Sequence, residues 1–482
     1  MSYQPTGQPN VPFQPPPGGF PQQGPPLSGY APQPFAPPPP PKRNTGKIVG
    51  FIALGICFLL LGGGGAVFLF SSKGSTPIKG VSPTQPVYEA LNKALANKDE
   101  DAFLKPFQGD ALKTQQRKVF RNLVKVPFKT ARFERVARTA GGEVEGVSFV
   151  HQIKGVDVAP VYEEYAFTFT KDAAGAQVVT DVKGADHPFP DTSGAFYPAP
   201  WDVYDDMAVE QLGRVVVISD KAHAADTQRF TPYIAKAADD DVAAWDRSSA
   251  GESMVSKGAL VVLEPKRDVY SRFYREGEEN DALEAGANLV LPRHGADSED
   301  KTQFGGSRIV MDSSLSRFTS RDWRRGVKQI SRHEIGHAMV APYNSARGAL
   351  PVEVDTWVSE GFAGYMESRD NPAQTQADNR STLQGYLMDY ATTPESDRDS
   401  FYAQDANERH QNYVLARLAI RYMAEKYGEK GTFNFVTAEY RDPGYHSQKA
   451  HFQQYLGVDR STFMEKWRAF VRKEVPGVRG EG

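Results

Sequence analysis

The clearest pattern in the chain is a run without any charged side chain over residues 48–70, rich in Leu, Ile, Phe and Gly. As a helix this run is long enough to cross a hydrocarbon layer of about 30 Å. Basic side chains lie just before the run at Lys42, Arg43 and Lys47. Only Lys73 follows it closely, and this asymmetry predicts a cytoplasmic N-terminus with the bulk of the chain outside. We therefore expect a single-pass protein of the cell membrane that contacts the lipid bilayer through residues 48–70.

After a predicted linker over residues 71–82, the hydrophobic positions first follow helical and then strand-like spacing. Two amphipathic helices are predicted over residues 88–107 and 114–124. Four strands separated by glycine-containing turns are predicted over residues 133–136, 147–153, 162–170 and 176–182. Helices followed by an antiparallel sheet resemble the NTF2-like α+β fold, so we expect such a domain over residues 83–190. Because this fold hosts both enzymes and binding modules, the function of the domain stays open.

A proline-rich stretch over residues 187–201 predicts a boundary, and a second domain is expected over residues 195–478. Its hydrophobic pattern predicts strands over residues 214–219, 259–264 and 288–292 and a long helix over residues 222–245. Helical spacing dominates the remainder, so this domain should be mainly helical with a small sheet. The predicted fold class is therefore α+β, with a disordered Pro-rich tail, one transmembrane helix, the NTF2-like domain and this second domain.

Composition separates the N-terminal tail from the rest of the chain. Residues 1–41 hold 16 of the 35 prolines and no charged side chain, so the predicted tail over residues 1–47 cannot build a core and should be disordered. A flexible spacer and a binding site for a partner of the Pro-rich tail both remain open. The formal net charge of −3 and the lack of a basic patch argue against a nucleic-acid partner. The single cysteine, Cys57, lies within the predicted span, so the outer domains must be stable without disulfides.

The segment His333–His337 reads His-Glu-Ile-Gly-His and predicts a metal site. Two histidines four positions apart on a helix lie on one face, so both rings can reach one ion. The intervening Glu334 can then contact a water molecule bound to the metal, which is the position that a general base needs. Glu360 follows His337 after 22 residues, in the helix-compatible run Trp-Val-Ser-Glu-Gly-Phe-Ala, and could supply a third ligand. The simpler alternative is a helix with two surface histidines.

These two motifs resemble the gluzincin metallopeptidases, the clan that includes thermolysin and the aminopeptidase N family. The resemblance implies His333, His337 and Glu360 as the ligands of one Zn²⁺ ion. It further implies that Glu334 is the general base. The segment from residue 200 to 475 also resembles the peptidase MA-like domains of bacterial, in particular actinobacterial-type, membrane proteins. No Gly-x-Met-x-Asn signature occurs upstream, so endopeptidase and exopeptidase action both stay open.

The same resemblance extends to residues outside the two motifs. The spacing of Tyr413 to Arg421 and Gly428 is similar to that of the transition-state tyrosine in aminopeptidase N-like enzymes. His410, three residues earlier, is the alternative if the site is built more like that of thermolysin. The resemblance implies that Glu367, seven residues after Glu360, orients a zinc ligand; a solvated surface residue is the alternative. The candidate edge strand for binding the substrate backbone consists of Ser307, Arg308, Ile309, Val310 and Met311, with an ordinary internal strand as the alternative.

The sequence thus predicts a membrane-anchored zinc metallopeptidase that acts on peptides or proteins outside the cytoplasm. A zinc-activated water would attack the scissile carbonyl while Glu334 takes its proton and Tyr413 stabilises the oxyanion. A catalytically silent peptidase-like surface protein, with a binding or scaffolding role, is the alternative.

Overall fold

The structure is a computed structural model, and the description covers part of the chain. The residues described are 82–138, 143–184, 198–248, 250, 254–274, 285–295, 304–344, 346–347, 350–351, 354–389, 392–394, 401–402 and 405–480.

The first region consists of three helices followed by an antiparallel sheet. The hydrophobic pattern predicts two helices, and the first of these, over residues 88–107, is divided in two near residue 98. The helices are α1 Gln85–Asn97, α2 Glu100–Leu104 and α3 Asp110–Leu123. The strands are β1 Phe128–Arg138, β2 Val144–Ile153, β3 Val161–Lys171 and β4 Gln177–Gly184, and they pair in the order β1-β2-β3-β4. The helices bury their apolar residues, such as Leu91, Phe103 and Leu123, against this sheet. Helix α1 ends at Lys98, which adopts a left-handed conformation.

The second region is built on a five-stranded mixed sheet. Its elements are α4 Pro200–Val203, β5 Met207–Leu212, β6 Val215–Asp220, α5 Ala224–Ser248, β7 Ala259–Glu264, α6 Arg267–Tyr274, β8 Gly286–Pro292 and β9 Phe304–Asp312. The strand order is β5-β6-β7-β9-β8. The three inner strands β6, β7 and β9 run parallel, whereas β5 and β8 lie antiparallel at the two ends. The inner strands β6 and β7 read as nearly continuous apolar runs because both faces of the sheet are covered.

The remainder of the second region is helical. Its helices are α7 Ser316–Thr319, α8 Trp323–Val340, α9 Thr356–Ser368, α10 Pro372–Thr382, α11 Ala406–Tyr427, α12 Glu429–Arg441, α13 Tyr445–His451 and α14 Arg460–Glu474. Helix α13 continues into a π-helical turn over Phe452–Leu456. Four short strands form two further pairs. β10 Ala346–Arg347 pairs with β11 Leu350–Pro351, and β12 Leu387–Met388 pairs with β13 Arg479–Gly480.

The five-stranded sheet separates two apolar cores. Side chains alternate between its faces, so Val217, Val261 and Ile309 pack against the helices of the second region. The opposite face, with Ile218 and Val310, shares a core with the first region. The predicted domain boundary near residue 190 stays a prediction, but one apolar core draws on residues from both sides of it.

The loop between β2 and β3 docks on the second region where glycines leave room for it. A Cβ atom on Gly258 would lie 2.0 Å from the Gly155 carbonyl oxygen, and one on Gly306 would lie 2.3 Å from Asp157 Oδ1. The backbone amide of Val158 donates a hydrogen bond of 2.9 Å to the carbonyl oxygen of Gly305. Larger side chains at these positions would force the two regions apart.

The predicted fold class is wrong in one component and incomplete in another. It included a transmembrane helix, but none of the helices in the described ranges combines the length and apolar character needed to cross a bilayer. The predicted span over residues 48–70 and the Pro-rich tail lie outside the described residues, as do the lipid and tail-partner contacts assigned to them. The predicted small sheet is a central sheet of five strands. The α+β class itself is confirmed.

The buried ion pair between Arg308 and Glu163 joins the two regions, and its loss should destabilise the fold. Both side chains are almost fully buried, so Arg308→Ala would leave the Glu163 carboxylate without its cation. We expect the free energy of unfolding to fall by about 3–5 kcal/mol in urea denaturation. Lys257→Ala is the control, since its ion pair with Asp246 is exposed and should contribute less than about 1 kcal/mol. Equal effects of the two substitutions would contradict this account.

Candidate metal centre

The two histidines of the motif lie one helical turn apart on α8. The helix buries Val327, Ile330 and Ile335 in the core, which leaves His333 and His337 on the face toward α9. Their ring centroids are 5.0 Å apart, and each side chain is about one-seventh exposed. Both rings are thus held by the helix and remain partly accessible.

Helix α9 brings Glu360 to the same point because it packs unusually close to α8. A Cβ atom on Gly336 would lie 3.2 Å from the Cα of Ala363. The Oε2 atom of Glu360 lies 3.2 Å from His333 Nε2 and 3.5 Å from His337 Nε2. One nitrogen from each histidine and one Glu360 oxygen all lie within 4.8 Å of one another, so the group can hold a metal ion.

The charges of this group are strongly coupled. Burial lowers the pKa of His333, but hydrogen bonds with Glu360 and Glu367 outweigh burial and raise it to about 10. Burial acts to raise the pKa of Glu360, yet the two histidines hold it well below its usual range. A proton and a metal ion would therefore compete for His333, and metal affinity should decrease as the pH falls.

Glu334 is a residue of α8, and its side chain lies against the end strand β8. The residue is only 4% exposed, and burial raises the pKa of its carboxyl group despite the nearby histidines. A Cβ atom on Gly286 would lie 2.7 Å from Glu334 Oε1 and 2.9 Å from its Cδ. The absence of a side chain at Gly286 therefore gives the carboxylate its space.

Glu367 contacts the other nitrogen of His333. Its Oε2 atom lies 3.4 Å from His333 Nδ1, which leaves His333 Nε2 directed at Glu360. Arg317 Nη1 lies 3.4 Å from the second oxygen of Glu367. Burial acts to raise the pKa of Glu367, but His333 and Arg317 lower it to about 2. Glu367 thus contacts the His333 ring, and its role in orienting a zinc ligand stays a prediction.

Helix α11 places Tyr413 beside the histidines. The Tyr413 ring centroid is 6.3 Å from that of His333. His410, one turn earlier, is exposed, and desolvation followed by the charge of Arg417 lowers its pKa. Tyr413 thus lies near the metal group, and its choice over His410 as the oxyanion donor stays a prediction.

Sequence reasoning missed Tyr402. Its hydroxyl donates a hydrogen bond of 2.7 Å to Glu360 Oε1, although it lies 42 positions along the chain from Glu360. Tyr402 belongs to no motif, and no periodic pattern connects it to the histidines. Gly286 was also missed, because the predicted strand over residues 288–292 began two residues too late.

The predicted substrate edge, Ser307–Met311, is wrong. These residues form the inner strand β9, which pairs with β7 on one side and β8 on the other, and all five are buried. Arg308 points into the shared core and pairs with Glu163. Strand β8 is the end strand beside Glu334, and its residues Gly286–Leu291 have no strand partner on the outer side within the described ranges.

Neither a protein-family model nor a curated protein matches the chain.

The donor set fits a zinc ion better than a harder cation. Two imidazole nitrogens and one carboxylate oxygen suit Zn²⁺, whereas Ca²⁺ and Mg²⁺ prefer oxygen ligands throughout. His333, His337 and Glu360 would hold the ion.

Removing one of the three ligands should abolish tight metal binding. His337→Ala or Glu360→Ala leaves two ligands, and we expect less than about 0.1 zinc ion per protein after dialysis, measured by atomic absorption. His446→Ala, which removes an exposed histidine on α13, should bind zinc like the parent protein. Stoichiometric zinc in either ligand variant would exclude that residue from the site.

Proposed function

We propose that this chain is a zinc-dependent metallopeptidase of the gluzincin type that hydrolyses peptide bonds. The observation that carries the proposal is the convergence of His333, His337 and Glu360 within 4.8 Å, beside the buried carboxylate of Glu334. Catalytic zinc sites use three protein ligands and keep a further position for water or substrate, which matches this donor set.

The roles of the protein side chains follow from their positions. When bound, a zinc ion would supply Lewis acidity and lower the pKa of water. Glu334 would take the proton of the attacking water and pass it to the leaving amine. The burial that raises the pKa of Glu334 makes it a stronger base. Tyr413 would donate a hydrogen bond to the developing oxyanion, with His410 as the alternative donor.

Strand β8 would bind the substrate as an added strand. Its outer side, which pairs with no strand among the described residues, begins at Gly286, next to the proposed general base Glu334. An extended peptide can form main-chain hydrogen bonds with such an edge, which favours peptides or proteins over smaller amides as substrates. Val161 of the first region bridges to Arg293, so the first region closes the far end of this edge.

Glu334→Gln tests the function directly. The amide cannot accept the proton, so hydrolysis of a peptide library should slow by at least about 10²-fold while zinc remains bound. Glu425→Gln is the control, because Glu425 is half exposed and pairs with Arg421 away from the histidines. Retained hydrolysis in Glu334→Gln would refute its role as base. Stoichiometric zinc without hydrolysis by the parent protein would instead support the silent binding protein.

Gly286→Ala tests whether β8 must lie against the base. The added methyl group would displace the Glu334 carboxylate, and a misplacement of about 1 Å can lower kcat by about 100-fold. We expect a decrease of at least about tenfold with unchanged zinc content. In the control Gly477→Ala, the new methyl group meets no atom closer than 3.4 Å. A Gly286→Ala protein with full activity would show that the contact is unimportant.

A further inference from the structure

The carboxylate of Glu360 presents its two oxygens to different groups. Oε2 lies 3.2 Å from His333 Nε2 and 3.5 Å from His337 Nε2. Oε1 accepts the hydrogen bond of 2.7 Å from the hydroxyl of Tyr402. Hydrogen bonds to ionised carboxylates are short and about twice as strong as neutral ones, so this contact can determine the rotation of the carboxylate.

We propose that Tyr402 is a positioning residue that makes Glu360 present only Oε2 to the metal ion. The inference rests on the metal site of the proposed function. A carboxylate without this hydrogen bond could rotate away from the histidines, so that Oε2 would face the ion for less of the time and metal binding would weaken. Tyr402 thus acts on the metal through Glu360, in the way that Glu367 acts through His333.

The position of Tyr402 also separates its role from that of Tyr413. The two rings lie 6.3 Å apart, and Phe401 contacts Tyr413 at 5.2 Å between centroids. Both tyrosines belong to one aromatic cluster beside the histidines, and the hydrogen bond from Tyr402 to Glu360 connects Tyr402 to a proposed ligand. The role proposed for Tyr413 is instead to stabilise the oxyanion. We therefore expect loss of the Tyr402 hydroxyl to change zinc affinity and loss of the Tyr413 hydroxyl to change turnover.

The experiment compares zinc affinity and turnover in two tyrosine variants of the full chain. Tyr402→Phe keeps the ring and removes the hydroxyl, so the Kd for zinc, measured by competition with a chelator, should rise about 10- to 100-fold. At saturating zinc, kcat should change by less than about threefold. Tyr413→Phe should leave the zinc Kd unchanged and lower kcat by about 10²–10³-fold, as the loss of an oxyanion donor does.

Tyr365→Phe is the matched control. Its hydroxyl also donates a hydrogen bond of 2.7 Å to a glutamate, Glu429, and Tyr365 lies on α9 like Glu360. Because Glu429 is not a proposed ligand, this variant should bind zinc like the parent protein. The visible absorption of the Co²⁺-substituted protein should change in Tyr402→Phe and remain unchanged in Tyr365→Phe, since only the former alters the ligand carboxylate.

Three results would overturn the inference. An unchanged zinc Kd in Tyr402→Phe, with or without a loss of turnover, would show that Tyr402 does not position Glu360. Equal losses of zinc affinity in Tyr402→Phe and Tyr365→Phe would indicate a general effect on α9. A parent protein that binds no zinc would refute both the inference and the proposed function. If the parent binds zinc without hydrolysing peptides and Tyr402→Phe still weakens zinc binding, the inference stands and only the peptidase function fails.

Discussion

The candidate metal centre depends on the close approach of three helices. Gly336 on α8 faces the backbone of Ala363 on α9, and a side chain there would meet the Ala363 Cα at 3.2 Å. Gly361 on α9 faces α11, where a Cβ atom would lie 2.7 Å from the Ala416 carbonyl oxygen. Because interiors are densely packed, larger residues would move the helices apart and separate Glu360 from the histidines.

Buried charges fix the position of α8 against α5. Arg332, next to His333, donates a hydrogen bond of 2.8 Å to Asp241, and both side chains are almost fully buried. Burial raises the pKa of Asp241 to about 7, although the charge of Arg332 acts against this shift. A buried pair of this kind contributes little net stability, but the loss of one partner is costly, so it disfavours any other arrangement of the two helices. The metal helix is thereby anchored to α5 at the residue next to its predicted ligand His333.

The first region takes part in the same architecture. Its core is continuous with one face of the five-stranded sheet, and its loop after β2 fits against glycines of the second region. The bridge from Val161 to Arg293 places it at the end of β8, the strand that lies beside Glu334. The region therefore supports the sheet and bounds the edge that would receive a substrate. The first region is thus packed against the same sheet that carries β8, the strand beside Glu334.

The sequence by itself determined the helices and strands that have a regular spacing of hydrophobic residues, and the faces on which their side chains lie. Helical spacing places His333 and His337 on one face of α8, and the run around Glu360 predicts a second helix with a ligand. Alternation of hydrophobic residues likewise identified the four strands of the first region. The rotational position of Glu367 on α9 followed from the same helical repeat. These features depend on residues a few positions apart, so a pattern within one element is sufficient to find them.

The tertiary structure decided which distant elements meet. Strand order is not encoded within a strand, and Ser307–Met311 therefore looked like a substrate edge although β8 occupies that position. The Asp239–Asp241 run has the composition of a solvated surface, but Asp241 is buried because Arg332 comes from another helix. Tyr402 reaches Glu360 across 42 residues, and its contact exists only after the chain before α11 has folded over α9. The physical reason is the same in all three cases. The contacting residue belongs to a separate element, and the pattern within one element does not predict which other element will lie beside it.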